Sequence, residues 1–230
     1  KAVLKQVLNT LREVAVETNK EWAAKLGINP AAAITCVKPS GTVSQLVDCA
    51  SGIHPRHSQF YFRRVRSDKK DPLSQMMKAA GFPCEDDLMK PQHNLVFTFP
   101  MKAPEDAITR EQMTALDQLD LWLTYQNEWC EHKPSITVNV REQEWMEVGA
   151  WVYKHFDQVS GISFLPYSDH SYRQAPYEEV REEEYNALLQ KVPSQVDWSL
   201  LQEFEVEDST TGTQELACTG GACELVDITR

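Results

Sequence analysis

This chain of 230 residues lacks several features that mark common classes of protein. It has no run of about 18 apolar residues, which excludes an ordinary membrane-spanning helix. It has no excess of basic residues, and its formal net charge of −11 argues against general binding of nucleic acid or membrane surfaces. No Walker A pattern, with glycines followed by lysine, is present. We therefore expect neither a nucleic acid nor a membrane as a partner.

Cysteine is present, but not in the pattern of a disulfide scaffold. Four of the six residues are scattered in apolar surroundings: Cys36, Cys49, Cys84 and Cys130. A chain of this size with only nine glycines does not need disulfides for stability. We expect these four cysteines to be small core residues, reduced in a cytoplasmic protein.

The other two cysteines, Cys218 and Cys223, lie near the end of the chain. The stretch that leads to them is acidic, rich in threonine and without apolar periodicity. Two adjacent glycines between them allow the backbone to fold back, so that the two sulfurs can meet. A dithiol on a mobile arm is suited to carrying electrons between sites. We predict a flexible redox tail over residues 198–230.

The apolar pattern of the remaining residues predicts an α/β fold with mainly parallel strand pairing. Helical spacing is expected over 2–26, 42–50, 142–156 and 177–190, and from a capping box at Thr109 and Gln112 to about Cys130. Strands are expected at 32–37, 59–66, 95–99, 136–140 and 161–165.

Residues 35–44 carry the second functional signal. A predicted buried strand leads into a Pro-Ser-Gly turn, and hydroxyl side chains follow at the start of a helix. Unpaired N–H groups and hydroxyls at a helix N-terminus can hold a phosphate. The alternative is an ordinary helix start in which Ser40 or Thr42 serves as the N-cap.

Two clusters of basic side chains carry weaker signals. His54 and His57 flank a short turn, but no cysteine or carboxylate joins them at ligand spacing, so we predict no metal site. Arg63, Arg64 and Arg66 lie on a predicted strand, and we expect Arg64 to face opposite to the other two. One face would support a phosphate or a cofactor, or the charges would simply be solvated.

An ordered set of motifs resembles the C-terminal part of ribonucleotide reductases, above all those of the adenosylcobalamin-dependent (class II) branch. The likeness covers nearly the whole chain. It rests on KPSGTVS (38–44), SGIHPR (51–56), YFRRVR (61–66), VGAWVY (148–153), GISFLPY (161–167), QAPYEE (174–179) and the Cys-x4-Cys tail.

The resemblance implies a fold, a reaction and the roles of individual residues. Residues 1–197 would form the second half of the reductase α/β barrel, and adenosylcobalamin would be the cofactor. The enzyme would convert ribonucleotides to 2′-deoxyribonucleotides. The substrate phosphates would be held by Pro39, Ser40, Gly41, Thr42, Val43 and Ser44. Cys218 and Cys223 would re-reduce an active-site disulfide and then be reduced by thioredoxin or a similar protein.

Two departures from the family pattern bear on this assignment. The chain has no Asn-x-Cys-x-Glu motif for the radical cysteine, and the oxidised active-site cysteines would lie upstream of it. We therefore expect no activity without an upstream polypeptide, whether the chain is a small subunit of a split enzyme or a fragment. The predicted strand at 135–140 lacks tyrosine, which disfavours the tyrosyl relay of class I enzymes.

Two other interpretations stay open on the sequence alone. The chain would be a fragment of a class I large subunit, or a non-catalytic nucleotide-binding module whose tail cysteines are regulatory. The sequence does not distinguish a diphosphate from a triphosphate substrate.

Overall fold

A computed structural model describes residues 2–41, 43–167 and 172–205, apart from the side chain of Gln45. These residues fall into two compact units. The first unit takes its described residues from Lys1–Pro55 and Arg110–Ser168, and the second from Arg56–Thr109 and Asp169–Arg230. Within this described part, no helix is both long and apolar enough to cross a membrane.

Helices and strands alternate along much of the chain. In order they are α1 (Ala2–Leu26), α2 (Val43–Leu46), β1 (Phe60–Asp68), α3 (Pro72–Ala79), β2 (Cys84–Asp86), β3 (Asn94–Lys102), α4 (Ala115–Glu128), β4 (Ser135–Val140), α5 (Trp145–Lys154), β5 (Gly161–Pro166), β6 (Tyr177–Glu179), α6 (Glu182–Leu189) and α7 (Leu201–Phe204). Short 3-10 turns lie at Glu142–Glu144, Phe156–Gln158 and Trp198–Leu200.

The first unit is built on the parallel pair β4 and β5, in which Val138 is in register with Phe164. Along β4 every second residue is apolar and buried, as expected for a strand with one covered face. These residues pack with Trp122 of α4 and Val148 of α5 in one hydrophobic core. Helix α4 begins at a capping box in which Thr114 accepts a hydrogen bond from the N–H of Asp117.

The second unit is built on a four-stranded antiparallel sheet with the order β2-β3-β1-β6. Its long central pair aligns Val65 of β1 with Phe97 of β3. Helix α3 starts at Pro72, and the side chain of the preceding residue, Asp71, accepts the N–H of Leu73 as the N-cap.

The α/β class and the main elements are as predicted, but the pairing is not mainly parallel. Only β4 and β5 pair in parallel among the described strands, since the second unit is antiparallel throughout. The predicted strand at 32–37 is not formed as a strand, and the helix predicted at 42–50 is a single turn at Val43–Leu46. The predicted helix at 177–190 begins with strand β6 instead.

Two local predictions fail for identifiable reasons. The capping box lies at Thr114 rather than at Thr109, because Thr109 is buried in a bridge with Arg56 of the second unit. A 3-10 turn at Trp198–Leu200 followed by α7 occupies the start of the predicted tail, and its N-terminus is capped by the Asp197 side chain.

The four scattered cysteines are not core residues, contrary to expectation. Cys36 and Cys49 are exposed, while Cys84 and Cys130 are half-buried. All four are free thiols. Apolar neighbours in the sequence were a poor guide, because the segments around Cys36 and Cys49 are loops rather than a buried strand and a long helix.

Candidate functional site

Residues 38–54 form a loop of the first unit that is fastened at both ends to the chain around β4. At its start, the N–H of Ser135 donates to the Val37 carbonyl oxygen at 3.2 Å. The Lys38 Nζ atom donates to the Lys133 carbonyl oxygen at 2.7 Å. At its end, Ile53 is buried in the core of the unit. The predicted phosphate turn therefore lies in an anchored loop.

His54 connects the end of the loop to β4 through both ring nitrogens. The N–H of Thr137 donates to Nε2 at 3.0 Å, and Nδ1 lies 2.7 Å from the Ser51 carbonyl oxygen. Since Nε2 accepts, the ring proton resides on Nδ1 and is donated to Ser51, so the imidazole is neutral. Burial lowers the pKa of His54, and the hydrogen bond to Ser51 offsets only part of that effect.

Ser51 also closes the loop on itself. Its Oγ accepts the N–H of Ser40 at 2.8 Å and donates to the carbonyl oxygen of Ser40 at 2.9 Å. The adjacent Gly52 has a φ of 59°, and a Cβ there would lie 2.8 Å from the Lys38 carbonyl oxygen. Glycine is required at this position both by its left-handed backbone and by the close approach of the chain.

The structure brings most of the predicted phosphate-binding residues together in one turn. Pro39 and Val43 are exposed, and Ser40 and Gly41 are half-buried. Ser44 is buried, and its Oγ lies 3.4 Å from the Ser40 carbonyl oxygen, so its hydroxyl contacts its own turn. Thr42 lies outside the described residues, as do both tail cysteines, Cys218 and Cys223.

Sequence analysis missed a cluster at the carboxyl ends of β4 and β5. Arg141 directly follows β4 and Tyr167 directly follows β5. The guanidinium carbon of Arg141 lies 4.7 Å from the Tyr167 ring centroid, and that of Arg110 lies 5.3 Å from it. Ligands of α/β proteins bind beyond the carboxyl ends of parallel strands. The available signal was an arginine and a tyrosine placed directly after two predicted strands.

Curated proteins give a consistent set of relatives, although no family model matches the chain. An adenosylcobalamin-dependent ribonucleoside-triphosphate reductase of Euglena gracilis is 30% identical over 205 residues, covering 88% of this chain and 27% of the relative. Reductases with the same name from Levilactobacillus brevis and Lactobacillus leichmannii are 26% and 28% identical, covering 94% and 96% of this chain.

The chain is related to the adenosylcobalamin-dependent ribonucleotide reductases. It spans about 30% of the length of the curated reductases that it matches. A crystal structure of a B-12-dependent (class II) ribonucleotide reductase has the same fold over 90% of this chain and 29% of its own, with a TM-score of 0.77 and 24% identity.

The two grooves beside α1 do not form a cradle for a corrin. Two grooves on α1, of about 660 Å³ and 370 Å³, are lined largely by charged side chains such as Glu13 and Glu17. Such walls do not suit a large ring that needs apolar and aromatic contacts. Nor does the described part contain three or more His, Cys, Asp or Glu side chains placed to hold a metal ion.

The three arginines of strand β1 in this chain are arranged differently from our prediction. Residues two apart on a strand share a face, so Arg64 and Arg66 lie together and Arg63 lies opposite, with its guanidinium 4.4 Å from the Tyr177 ring. Arg64 pairs with Glu178, and its Nη1 donates to the Ala175 carbonyl oxygen. These contacts give the arginines a role in holding the second unit together.

We predict that His54 makes stability depend on pH in the acidic range. A histidine whose pKa is lower in the folded than in the unfolded state destabilises the fold as pH falls below its unfolded value of about 6.5. The wild type should therefore lose more stability between pH 7.5 and 5.5 than His54→Gln. Urea unfolding of both proteins at each pH measures the difference, and equal pH dependence would contradict the neutral, buried imidazole.

Replacing Gly52 should disturb the loop, whereas replacing Gly41 should not. Gly52→Ala must adopt a left-handed backbone at a cost of about 1–2 kcal/mol and also displaces the Lys38 carbonyl. Gly41→Ala is the matched control, because a Cβ at Gly41 meets nothing within 4 Å. Thermal unfolding of both variants tests the prediction, which fails if the two midpoints shift equally.

Proposed function

We propose that this chain is the C-terminal part of an adenosylcobalamin-dependent ribonucleotide reductase and forms the second half of its α/β barrel. The observation that carries the proposal is coverage: relatives with that name match 94–96% of this chain, but the chain accounts for only about 30% of each. The reaction replaces the ribose 2′-hydroxyl of a ribonucleotide by hydrogen. Two electrons come from a dithiol, which becomes a disulfide, and water is released.

The open face of the two-stranded β4–β5 sheet supports the proposal that further chain completes and covers this sheet. A parallel sheet is normally covered on both faces, and a pair of strands is not stable alone. Within the described residues, β4 and β5 have helices on one face only, while Asn139, Ser163 and Leu165 on the other face are exposed. We assign that open face to the interior of the complete barrel.

Within this proposal, residues 39–44 hold the substrate phosphates. The anchored loop gives the turn a fixed position, and the first N–H groups of α2 lack helical partners of their own. Pro39, Ser40, Gly41, Thr42, Val43 and Ser44 are the binding residues that we propose. Arg110 and Arg141 add positive charge at the carboxyl edge of the same sheet, which favours an anionic substrate.

Adenosylcobalamin would supply the radical chemistry in a site completed by the upstream polypeptide. That polypeptide would also carry the radical cysteine and the two active-site cysteines. The names of the relatives favour a ribonucleoside triphosphate as substrate and argue against a class I fragment. Thioredoxin or a similar dithiol protein is the reductant that we propose for Cys218 and Cys223, and a cytoplasmic location remains the prediction from the sequence.

Turnover with the upstream polypeptide and adenosylcobalamin tests the proposed function. Deoxyribonucleotide formation should require both chains, the cofactor and a thioredoxin-type reductant. The double variant Cys218→Ser/Cys223→Ser should stop after about one cycle, because the active-site disulfide is no longer reduced. Product is measured per active site, with Cys49→Ser as the control that keeps full turnover.

Each other outcome of this assay has a defined meaning. Turnover without cobalamin would move the chain to class I. Nucleotide binding with no turnover in any mixture would favour the non-catalytic binding module. If the double variant kept turning over, Cys218 and Cys223 would not be the dithiol that re-reduces the active site.

Helix α1 carries the surface on which we expect the upstream polypeptide to dock. One face, with Leu8 and Ala23, is buried, and the Arg12 guanidinium beside it bonds the Asn127 carbonyl at the end of α4. A second apolar stripe lies about 100° around the helix and is exposed. It consists of Val3, Val7, Leu11, Val14 and Trp22. A stripe of this size on a helix is normally covered.

Leu11→Glu should weaken association with the upstream polypeptide at least about fivefold, because a charge replaces an apolar side chain that becomes buried. Glu17→Gln, on the polar face of the same helix, should leave the affinity unchanged. Titration calorimetry with each protein measures the dissociation constant. Equal affinities for all three proteins would place the interface elsewhere.

A further inference from the structure

Ser51 lies outside the proposed phosphate turn but bonds its backbone twice. The Ser51 Oγ accepts the N–H of Ser40 at 2.8 Å and donates to the Ser40 carbonyl oxygen at 2.9 Å. A serine hydroxyl has one proton to donate and lone pairs that accept, so it makes both contacts at once. The orientation of the backbone at Ser40 therefore depends on a side chain 11 positions further along the chain.

His54 holds Ser51 through the Ser51 carbonyl oxygen. The backbone N–H of His54 donates to that oxygen at 3.1 Å, and the Nδ1–H of its ring donates to it at 2.7 Å. The other ring nitrogen accepts the N–H of Thr137 at 3.0 Å. A continuous line of hydrogen bonds thus runs from strand β4, through one imidazole and one serine, to the turn.

Only the neutral imidazole permits this line. An imidazolium carries a proton on both nitrogens, so its Nε2–H would point at the N–H of Thr137, which is also a donor. A peptide N–H that loses its acceptor inside a protein is costly, so the ring has to turn away. Protonation of His54 therefore breaks the line at its first bond and releases Ser51.

Burial and one hydrogen bond determine the pKa of His54. Burial lowers it, and the bond to Ser51 offsets part of that effect. Strand β4 has no charged side chain, and α4 contributes the neutral Gln118, which donates to the Thr137 carbonyl oxygen at 3.2 Å. The charged or titratable residues of the loop, of α4 and of the chain directly after His54 include Lys38, Asp48, Arg56, His57, Asp117, Asp120 and Glu128. None of these described residues is among the causes of the pKa shift.

We propose that Ser51 and His54 are positioning residues that hold the phosphate turn in its binding geometry, and that they do so only while the imidazole is neutral. The inference rests on the proposed function, because it takes residues 39–44 as the site of the substrate phosphates. It adds two residues outside the turn, and one proton, to that site. Affinity for the nucleotide falls as His54 is protonated.

Binding and protonation are linked, and the sign of the linkage is specific to this arrangement. Phosphates that bind the held turn better favour the neutral ring, so they lower the pKa of His54. An imidazolium that attracted the phosphate directly would behave in the opposite way, because an anion beside it stabilises the charged form and raises the pKa. The direction of the pKa change on binding separates the two roles.

Steady-state turnover of a ribonucleoside triphosphate, by this chain with the upstream polypeptide, tests the role of Ser51. Ser51→Ala should raise KM about tenfold and change kcat less than about twofold, because two hydrogen bonds to the turn are lost. Ser51→Thr keeps the hydroxyl and should restore KM. Thr124→Ala is the matched control, since it removes a hydroxyl that donates to the Asp120 carbonyl oxygen at 2.9 Å within α4.

The pH dependence tests the role of His54. Between about pH 7.5 and 5.5, KM should rise at least about threefold more for the wild type than for His54→Gln, whose amide gains no proton. Protonation of the nucleotide is common to both proteins and cancels in this ratio. NMR of the histidine-labelled chain, assigned with the same variant, should show that ATP lowers the pKa of His54.

The outcomes distinguish this inference from the proposed function. A wild type that binds no nucleotide would overturn both. If the wild type turns over but Ser51→Ala keeps its KM, or Thr124→Ala raises KM equally, only the positioning role is overturned. A rise in the His54 pKa on ATP binding would also overturn it and would make the imidazolium a direct contact of the phosphates.

Discussion

One neutral imidazole connects the end of the candidate phosphate loop to strand β4. His54 accepts the N–H of Thr137 in β4 and donates to the Ser51 carbonyl oxygen, so one side chain satisfies a strand and a turn at once. Ser51 in turn satisfies both backbone polar groups of Ser40. The position of the turn therefore follows from a chain of three residues that ends in the hydrophobic core beside Ile53. Buried polar networks of this kind are strong only while every member is paired, which makes the protonation state of His54 decisive for the geometry of the turn.

The long periodic helices and strands were predictable from the sequence, whereas the starts of helices and the short segments between them were not. Helix α1 and strands β1, β3, β4 and β5 follow from apolar spacing, because burial of one face is sufficient to specify them. The sequence offers two capping boxes for the start of α4, one at Thr109 and one at Thr114 with Asp117. Both are equally good local signals, and only the pairing of Thr109 with Arg56 in the folded chain decides for Thr114. The sequence predicts a helix from Tyr177, but Tyr177–Glu179 form strand β6. Three residues carry no periodicity, and their pairing with β1 is distant in sequence. The fold of the candidate loop was foreseeable as a turn, but the role of His54 depends on Thr137, 83 residues away.

The segment at 34–37 shows why a correct sequence signal can fail to give a regular element. The Thr35 carbonyl oxygen accepts from Glu131 and His132, and the Val37 carbonyl oxygen accepts from Ser135. The two segments run in the same direction, as parallel strands do. In these backbone hydrogen bonds the segment at 34–37 contributes only carbonyl oxygens, and it does not form a regular strand. β4 itself pairs with β5 along its whole length. The apolar run at 32–37 therefore lies beside the chain that leads into β4 without forming a strand.

The net charge of −11 is no obstacle to a phosphate ligand, because the relevant charges are local. Arg110 and Arg141 both lie over the Tyr167 ring although two guanidinium groups repel each other. The arrangement is stabilised by the ring face and by carbonyl acceptors, since Arg141 Nη2 donates to the Glu111 carbonyl oxygen at 3.0 Å. Glu144 is the acidic partner of Arg141, but its carboxylate also binds the N–H of Ala115 and is shared between them. Positive charge is thereby held at the carboxyl edge of the parallel strands, where ligands of α/β proteins bind.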